Sequence, residues 1–240
     1  KYINDIKNKT LDIKAQKKIG FPINDSVVKR SFVATGGTVL ASKLALDSKL
    51  ACNTAGGSHH ATFDFGAGYC VFNDTAVATN YLINKKYAKK ILILDLDVHQ
   101  GDGTASICEN IDNIFTCSIH CKNNFPFDKK NSNLDVPIDD EVNDVKYINI
   151  LTKTLDQIES HFTPDIVFYD AGVDVHSNDD LGNLNLTDDG IKKRDEIVCE
   201  YFKEKKIPLC TVIGGGYSKN RQELASRHFS IFETVSKTYL

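Results

Sequence analysis

Methionine is absent from all 240 residues, position 1 included. A chain that begins without one is expected to lack an N-terminal portion. No apolar run is long enough to cross a bilayer, and the start shows no secretory signal. A membrane partner is therefore not expected, and the cytoplasm is the expected compartment, or the nucleus in a eukaryote. A strong charge of either sign is also missing: 29 basic against 32 acidic residues leave a net charge of −3. That balance provides no field to draw the chain to nucleic acid or an acidic membrane surface. Internal repeats, low-complexity linkers and shifts of composition are absent too. One domain over residues 1–240 is the simplest organisation for this length.

Seven cysteines are present, but none stand in a C-x-x-C pair. They are Cys52, Cys70, Cys108, Cys117, Cys121, Cys199 and Cys210. The odd count and apolar contexts such as FTCSI and PLCTV read as reduced, buried thiols rather than a disulfide framework. A second metal cluster at Cys117, His120 and Cys121 is set aside, because strand alternation sends neighbouring side chains to opposite faces.

What is present is alternation of helix and strand. Helical spacing covers 26–46, 73–85, 143–161, 188–205 and 222–237, with Gly36-Gly37 marking close packing or a break in the first. Short apolar runs at 91–96, 114–119, 166–169 and 208–213 look like parallel strands buried on both faces, and 49–54 like a further short strand. The expected fold is α/β, three layers with a central, mainly parallel sheet.

Ligands on such a sheet bind beyond the carboxyl ends of the strands, and three apolar runs end there in polar clusters. ILIL is followed by Asp95, Asp97, His99 and Asp102. IVFY is followed by Asp170, Gly172 and Asp174, and CTVI by Gly214, Gly215, Gly216 and Tyr217. Alternation aims Asp95, Asp97 and His99 one way. Two carboxylates and an imidazole on one face are costly without a cation. Asp97, His99 and Asp174 suit a catalytic zinc, which takes three protein ligands and leaves a position open. Turn formation and helix capping are the competing reading of the same residues.

His59 and His60 are adjacent in the glycine-rich loop AGGSHHA. Such imidazoles suit proton transfer, with Asp95 and Asp102 as partners that fix a tautomer and raise the basicity of the far nitrogen.

Four segments in order now carry a resemblance: AGGSHHATFDFGAGYCVFND (55–74), LDLDVHQGDGTA (94–105), DAGVDVHSNDDLGNLNLT (170–187) and GGGY (214–217). The chain resembles the zinc-dependent histone deacetylase family, within the arginase/deacetylase superfamily, from about residue 19 onward. Residues 117–138 resemble its class IV branch and bacterial relatives. The resemblance implies an enzyme hydrolysing acyl-lysine amides with one catalytic Zn²⁺. It implies Asp97, His99 and Asp174 as ligands, and His60 as general base and then general acid. It also implies His59 as the electrostatic neighbour, Asp95 and Asp102 as the paired carboxylates, and Tyr217 as donor to the substrate carbonyl. Gly68, Tyr69 and Leu181 would line the substrate tunnel. A structural monovalent cation, K⁺, would sit near Asp95, Asp97, His99, Ser118 and Ile119. The substrate would be an acyl-lysine peptide or a small acylated amine, without direct nucleic-acid contact.

Tyr69 departs from the phenylalanine usual in the tunnel, and Asp102 stands where class IV relatives often carry Asn. His120, His161, His176 and His228 read as exposed histidines without a role, and the lysines at 85–90 and 203–206 as solvated helix ends. Deacylation of acetylpolyamines or of long fatty acyl-lysine competes within the hydrolases. A non-catalytic acyl-lysine binder competes outside them, though it needs neither an acid–base pair nor an oxyanion donor. An arginase-like two-metal hydrolase needs more ligands than these motifs supply.

Overall fold

The computed structural model describes residues 1–240. In chain order the elements are α1 (Tyr2–Asn8), α2 (Ile13–Ile19), α3 (Asp25–Ser48), β1 (Leu50–Cys52), α4 (Asp74–Asn84), β2 (Ile91–Asp95), α5 (Asp102–Cys108) and β3 (Ile114–Cys121). Then follow β4 (Leu134–Ile138), α6 (Asp144–His161), β5 (Ile166–Asp170), α7 (Asp188–Glu204), β6 (Leu209–Val212) and α8 (Arg221–Tyr239).

The six strands form one sheet in the order β1-β6-β5-β2-β3-β4, every pairing parallel. Alternation within the strands feeds two cores. Leu92, Leu94, Val167 and Tyr169 pack on one face with Leu151 of α6, Val198 of α7 and Ile231 of α8. Ile91, Ile93, Ile166 and Phe168 pack on the other with Ala41 of α3 and Leu82 of α4. Burying each such side chain stabilises the fold by roughly 1.5–3 kcal/mol. This is the expected three-layer α/β arrangement. The chain leaves β2 toward β3 and returns beside β2 as β5, so the strand order reverses between them. A crevice at the carboxyl ends of β2 and β5 follows, with Asp95 and Asp170 as register partners at its floor.

Of the two readings of Gly36-Gly37 the structure shows close packing, and β4, α1 and α2 are additions to the sequence reading. Helix α3 runs unbroken through Gly36-Gly37; a Cβ at Gly37 would lie 3.1 Å from the Asn53 amide, so this glycine lets the helix approach the β1 loop. Strand β4 carries Pro137, tolerated because β4 is an edge strand. Helices α1 and α2, seven residues each, are too short to show a period.

His120 and His176 are not the exposed histidines expected. His120 is a buried β3 residue whose Nδ1 lies 3.0 Å from Ser118 Oγ. His176 is buried and accepts the Asn178 N–H at Nδ1. His228 is half-buried, with no hydrogen-bond partner at Nδ1. Only His161, at the end of α6, is exposed.

Candidate metal centre and active site

Strand β2 ends at Asp95, and the next residues bend across the crevice. Asp97, His99 and Asp174 converge there, all buried. His99 Nδ1 lies 3.1 Å from Asp97 Oδ1 and 3.1 Å from Asp174 Oδ2. Ligands of a tetrahedral ion at about 2.0–2.1 Å would be separated by roughly 3.3 Å, so the trio has the dimensions of a metal cage. The backbone holds it open. Asp97 Oδ2 accepts the Gly215 N–H at 2.7 Å, and Asp174 Oδ1 accepts the Val98 N–H at 2.9 Å. A Cβ on Gly215 would fall 2.3 Å from Asp174 Oδ2, so no side chain fits at that position.

The charges of the trio look for a cation. Burial opposes charge on His99, yet Asp174 and Asp97 push it up to about 10. Burial and the neighbouring Asp97 push Asp174 up to about 7. Asp97, despite its burial, is held far below the ordinary carboxylate range by His59 and His99.

The two loop histidines border the cage. His59 Nδ1 lies 2.8 Å from Asp95 Oδ2, and His60 Nδ1 lies 2.6 Å from Asp102 Oδ1. Their Nε2 atoms face each other at 3.1 Å, so one donates and the other accepts. Burial opposes a proton on His59, but Asp95 and Asp97 outweigh it and raise the group well above its usual value. Burial and the adjacent His59 lower His60 to about 4 despite Asp102. The pair thus favours a proton on His59 over one on His60. Gly68, at φ 52°, lets the tunnel wall press on this ring: a Cβ there would lie 2.4 Å from the imidazole.

Tyr217 stands across the cage, its ring centroid 6.2 Å from that of His99. Its backbone N–H donates to Asp179 Oδ2 at 2.7 Å. Burial, then Asp97 and Asp174, raise the phenol far above its usual value, so it keeps its proton. A cavity of about 460 Å³ leads to His60, His99 and Tyr217 between Gly68, Tyr69, Phe125 and Leu181. Tyr69 adopts φ 64° and is half-exposed at the mouth, stacked on Phe21 at 6.3 Å. Asp95 also sits in register with Ser118 of β3. Ser118 is buried beside Ile119, its hydroxyl occupied by His120.

Phe125 and Asp179 were not singled out from the sequence, and Asp170 was named there without a role. Phe125 packs edge-on to His60 at 4.8 Å, and nothing in its loop marks it. Asp179 closes its turn on three backbone N–H groups, those of Leu181, Gly182 and Tyr217. Asp170 ends an apolar run just as Asp95 does, a visible signal. With His59 and Asp95 it forms a second buried trio whose ligand atoms lie within 4.8 Å of one another. Its Oδ1 has no hydrogen-bond partner, and burial and Asp95 push its carboxyl well above the usual range. All three residues lie within the quoted motifs, which therefore supply a second set of potential ligands. In this second trio, however, His59 Nδ1 and Asp95 Oδ2 already satisfy each other.

Comparison with known proteins identifies the family. The family model described as histone deacetylase domain matches residues 1–232. An uncharacterised protein of Picosynechococcus sp. is 45% identical over 230 residues, covering 96% of this chain and 77% of that protein. Histone deacetylase 2 of Arabidopsis thaliana is 32% identical over 211 residues; the match covers 85% of this chain and 52% of that protein, so the chain spans about half its length. Among solved structures, an HDAC homologue complexed with SAHA superposes with TM-score 0.84 at 28% identity, covering 98% of this chain and 68% of the other. Acetylpolyamine aminohydrolase from Burkholderia pseudomallei shares the fold, with TM-score 0.77 at 21% identity over 90% of this chain and 65% of its own. No helix here is long and apolar enough to cross a membrane. The family-model match over residues 1–232, on a fold of six parallel strands, places this chain in the histone deacetylase domain family, whose members hydrolyse acyl amides.

Proposed function

We propose that the chain hydrolyses the amide of acyl-lysine, with one zinc ion held by Asp97, His99 and Asp174. The observation that carries this reading is one cavity lined by His99 of that cage, by His60 of the paired imidazoles and by Tyr217. Carboxylate and imidazole donors with an open position suit zinc. Bound there, zinc would polarise the acyl carbonyl and lower the pKa of water from ~16 toward ~7.

The side chains do the rest. Asp102 engages His60 at Nδ1, which leaves Nε2, 3.1 Å from His59 Nε2, as the basic atom. His60 takes the proton of the attacking water at Nε2 and returns it to the leaving amine. His59, charged against Asp95, keeps His60 neutral until that proton arrives. The protonated Tyr217 phenol donates to the carbonyl oxygen as negative charge develops. Gly68, Tyr69 and Leu181 flank the aliphatic stem of the acyl-lysine. A structural K⁺ would sit near Asp95, Asp97, His99, Ser118 and Ile119, mostly on backbone carbonyls.

The test is hydrolysis of acyl-lysine peptides of graded acyl length, alongside an acetylpolyamine, with metal content measured on the same preparation. Acetyl-lysine turnover with about one zinc per chain is expected, and His99→Ala should purify without it. Two metal ions per chain would instead favour the two-metal reading, and a zinc-loaded chain without turnover the binding module.

A further inference from the structure

The mouth of the cavity is bordered by an element the sequence did not announce. Helix α2 (IKAQKKI) carries Lys14, Lys17 and Lys18 and no acidic residue. All three lysines are exposed, and none takes part in an ion pair. Lys17 and Lys18 line the opening of the cavity that ends at His60 and Tyr217.

The helix is fixed to the wall rather than laid over it. The Gly68 N–H donates to Lys18 O at 3.3 Å and the Tyr69 N–H to Ile19 O at 2.7 Å. Ile19 is fully buried. Asp12 caps the start of the helix through the Ala15 N–H. Gly20 caps its end so closely that a Cβ would lie 2.7 Å from the Tyr69 ring. The Lys18 ammonium is held over the Phe65 ring, 3.3 Å from its centroid.

No carboxylate lines this opening. Asp179, beside Leu181 on the opposite rim, is turned onto three backbone N–H groups. Asp180 is exposed next to it but is not among the lining residues. A substrate whose acyl-amine stem fills the cavity leaves it between α2 and the walls formed by Tyr69, Phe125 and Leu181.

Resting on the amide-hydrolase reading above, we propose that α2 is a charge filter at the mouth of the tunnel. It admits acyl-lysine flanked by acidic residues and turns away acylated polyamines, whose remaining ammonium groups would meet Lys17 and Lys18. Exposed charges a few ångströms apart interact weakly and are screened by salt. Two or three lysines acting on two flanking charges are therefore expected to give about a tenfold preference at low salt.

The experiment compares kcat/KM for a capped acetyl-lysine peptide with neutral flanks, its Glu-flanked and Arg-flanked versions, and N-acetylspermidine. The expected ranking is Glu-flanked over neutral over Arg-flanked, with acetylspermidine last and the spread collapsing in about 0.5 M salt. The triple variant Lys14→Glu, Lys17→Glu, Lys18→Glu should invert the ranking. Lys17→Gln with Lys18→Gln, a milder change should the triple variant misfold, should flatten it. Turnover of the Arg-flanked peptide or acetylspermidine equal to that of the Glu-flanked peptide overturns the filter, as does a ranking the variants leave unchanged. If no peptide is hydrolysed, the hydrolase reading falls instead. The same ranking, read as equilibrium binding of labelled peptides by fluorescence anisotropy, then decides the filter alone.

Discussion

His60 and Asp102 are joined at 2.6 Å through Nδ1 and Oδ1, which makes the opposite nitrogen of the imidazole the working atom. Burial and His59 hold this imidazole down to about 4. A group that must accept a proton is competent above its own pKa. Acidification should therefore abolish kcat/KM only near pH 4, not near the 6.5 of a free imidazole. Asp102→Ala frees the ring to turn and to take the other tautomer, and turnover should fall about 10²–10⁴-fold. A pH–rate profile of both proteins checks this; an acid limb at 6.5 in the unmodified chain contradicts it.

Tyr217→Phe removes one hydroxyl without disturbing the Tyr217 N–H bond to Asp179. The metal should stay, while kcat falls about 10²–10³-fold, the usual effect of losing one oxyanion donor. Metal analysis and steady-state kinetics on one preparation separate this outcome from collapse of the site. Unaltered turnover would take the phenol out of the reaction.

Asp170 offers a test that needs no substrate. Its carboxyl is raised well above the ordinary range in the folded chain. The folded state then keeps a proton that the unfolded chain releases above about pH 4. Stability therefore declines as pH rises from there toward the folded pKa, by about 1.4 kcal/mol per pH unit for one proton. Asp170→Asn removes that slope, so its gain in denaturant resistance should be larger at pH 8 than at pH 5. An equal gain at both values contradicts the assignment.

Arg194 is fully buried beneath the crevice. It donates to Gly172 O at 2.6 Å and Leu96 O at 3.3 Å, and pairs with Asp195 at 2.9 Å. It thus ties the loop carrying Asp97 to the loop carrying Asp174. Arg194→Met strands the Asp195 charge and should cost about 3–5 kcal/mol. Arg194→Lys should recover little, because an ammonium cannot reproduce the planar fork. Chemical denaturation of both variants measures this.

Much of the sheet was legible because β2 and β5 are short apolar runs ending in aspartate, and buried parallel strands leave that trace in composition. The cage was legible for a related reason: the ligands sit within a few residues of strand ends. Helix α2 was not, since only Ile19 of its two isoleucines is buried while Ile13 is exposed, and one anchored side chain makes no period. His120 and His176 were misread because a lone histidine carries no local mark of burial. His120 is covered by its neighbours in the sheet and His176 by the turn that follows it. The pairing of Asp170 with Asp95 is a matter of strand register, which neither segment encodes alone.

The Gly215 N–H that braces Asp97 belongs to the same three-glycine stretch that carries Tyr217 two residues later. Cage and phenol are thus mounted on one short strut. Chelation of the proposed ion, or its replacement by a larger one, would displace Asp97 and should be felt at the far wall of the cavity. The fluorescence of Tyr217, edge-on to His99, and of its neighbour Tyr69 would then report the state of that centre.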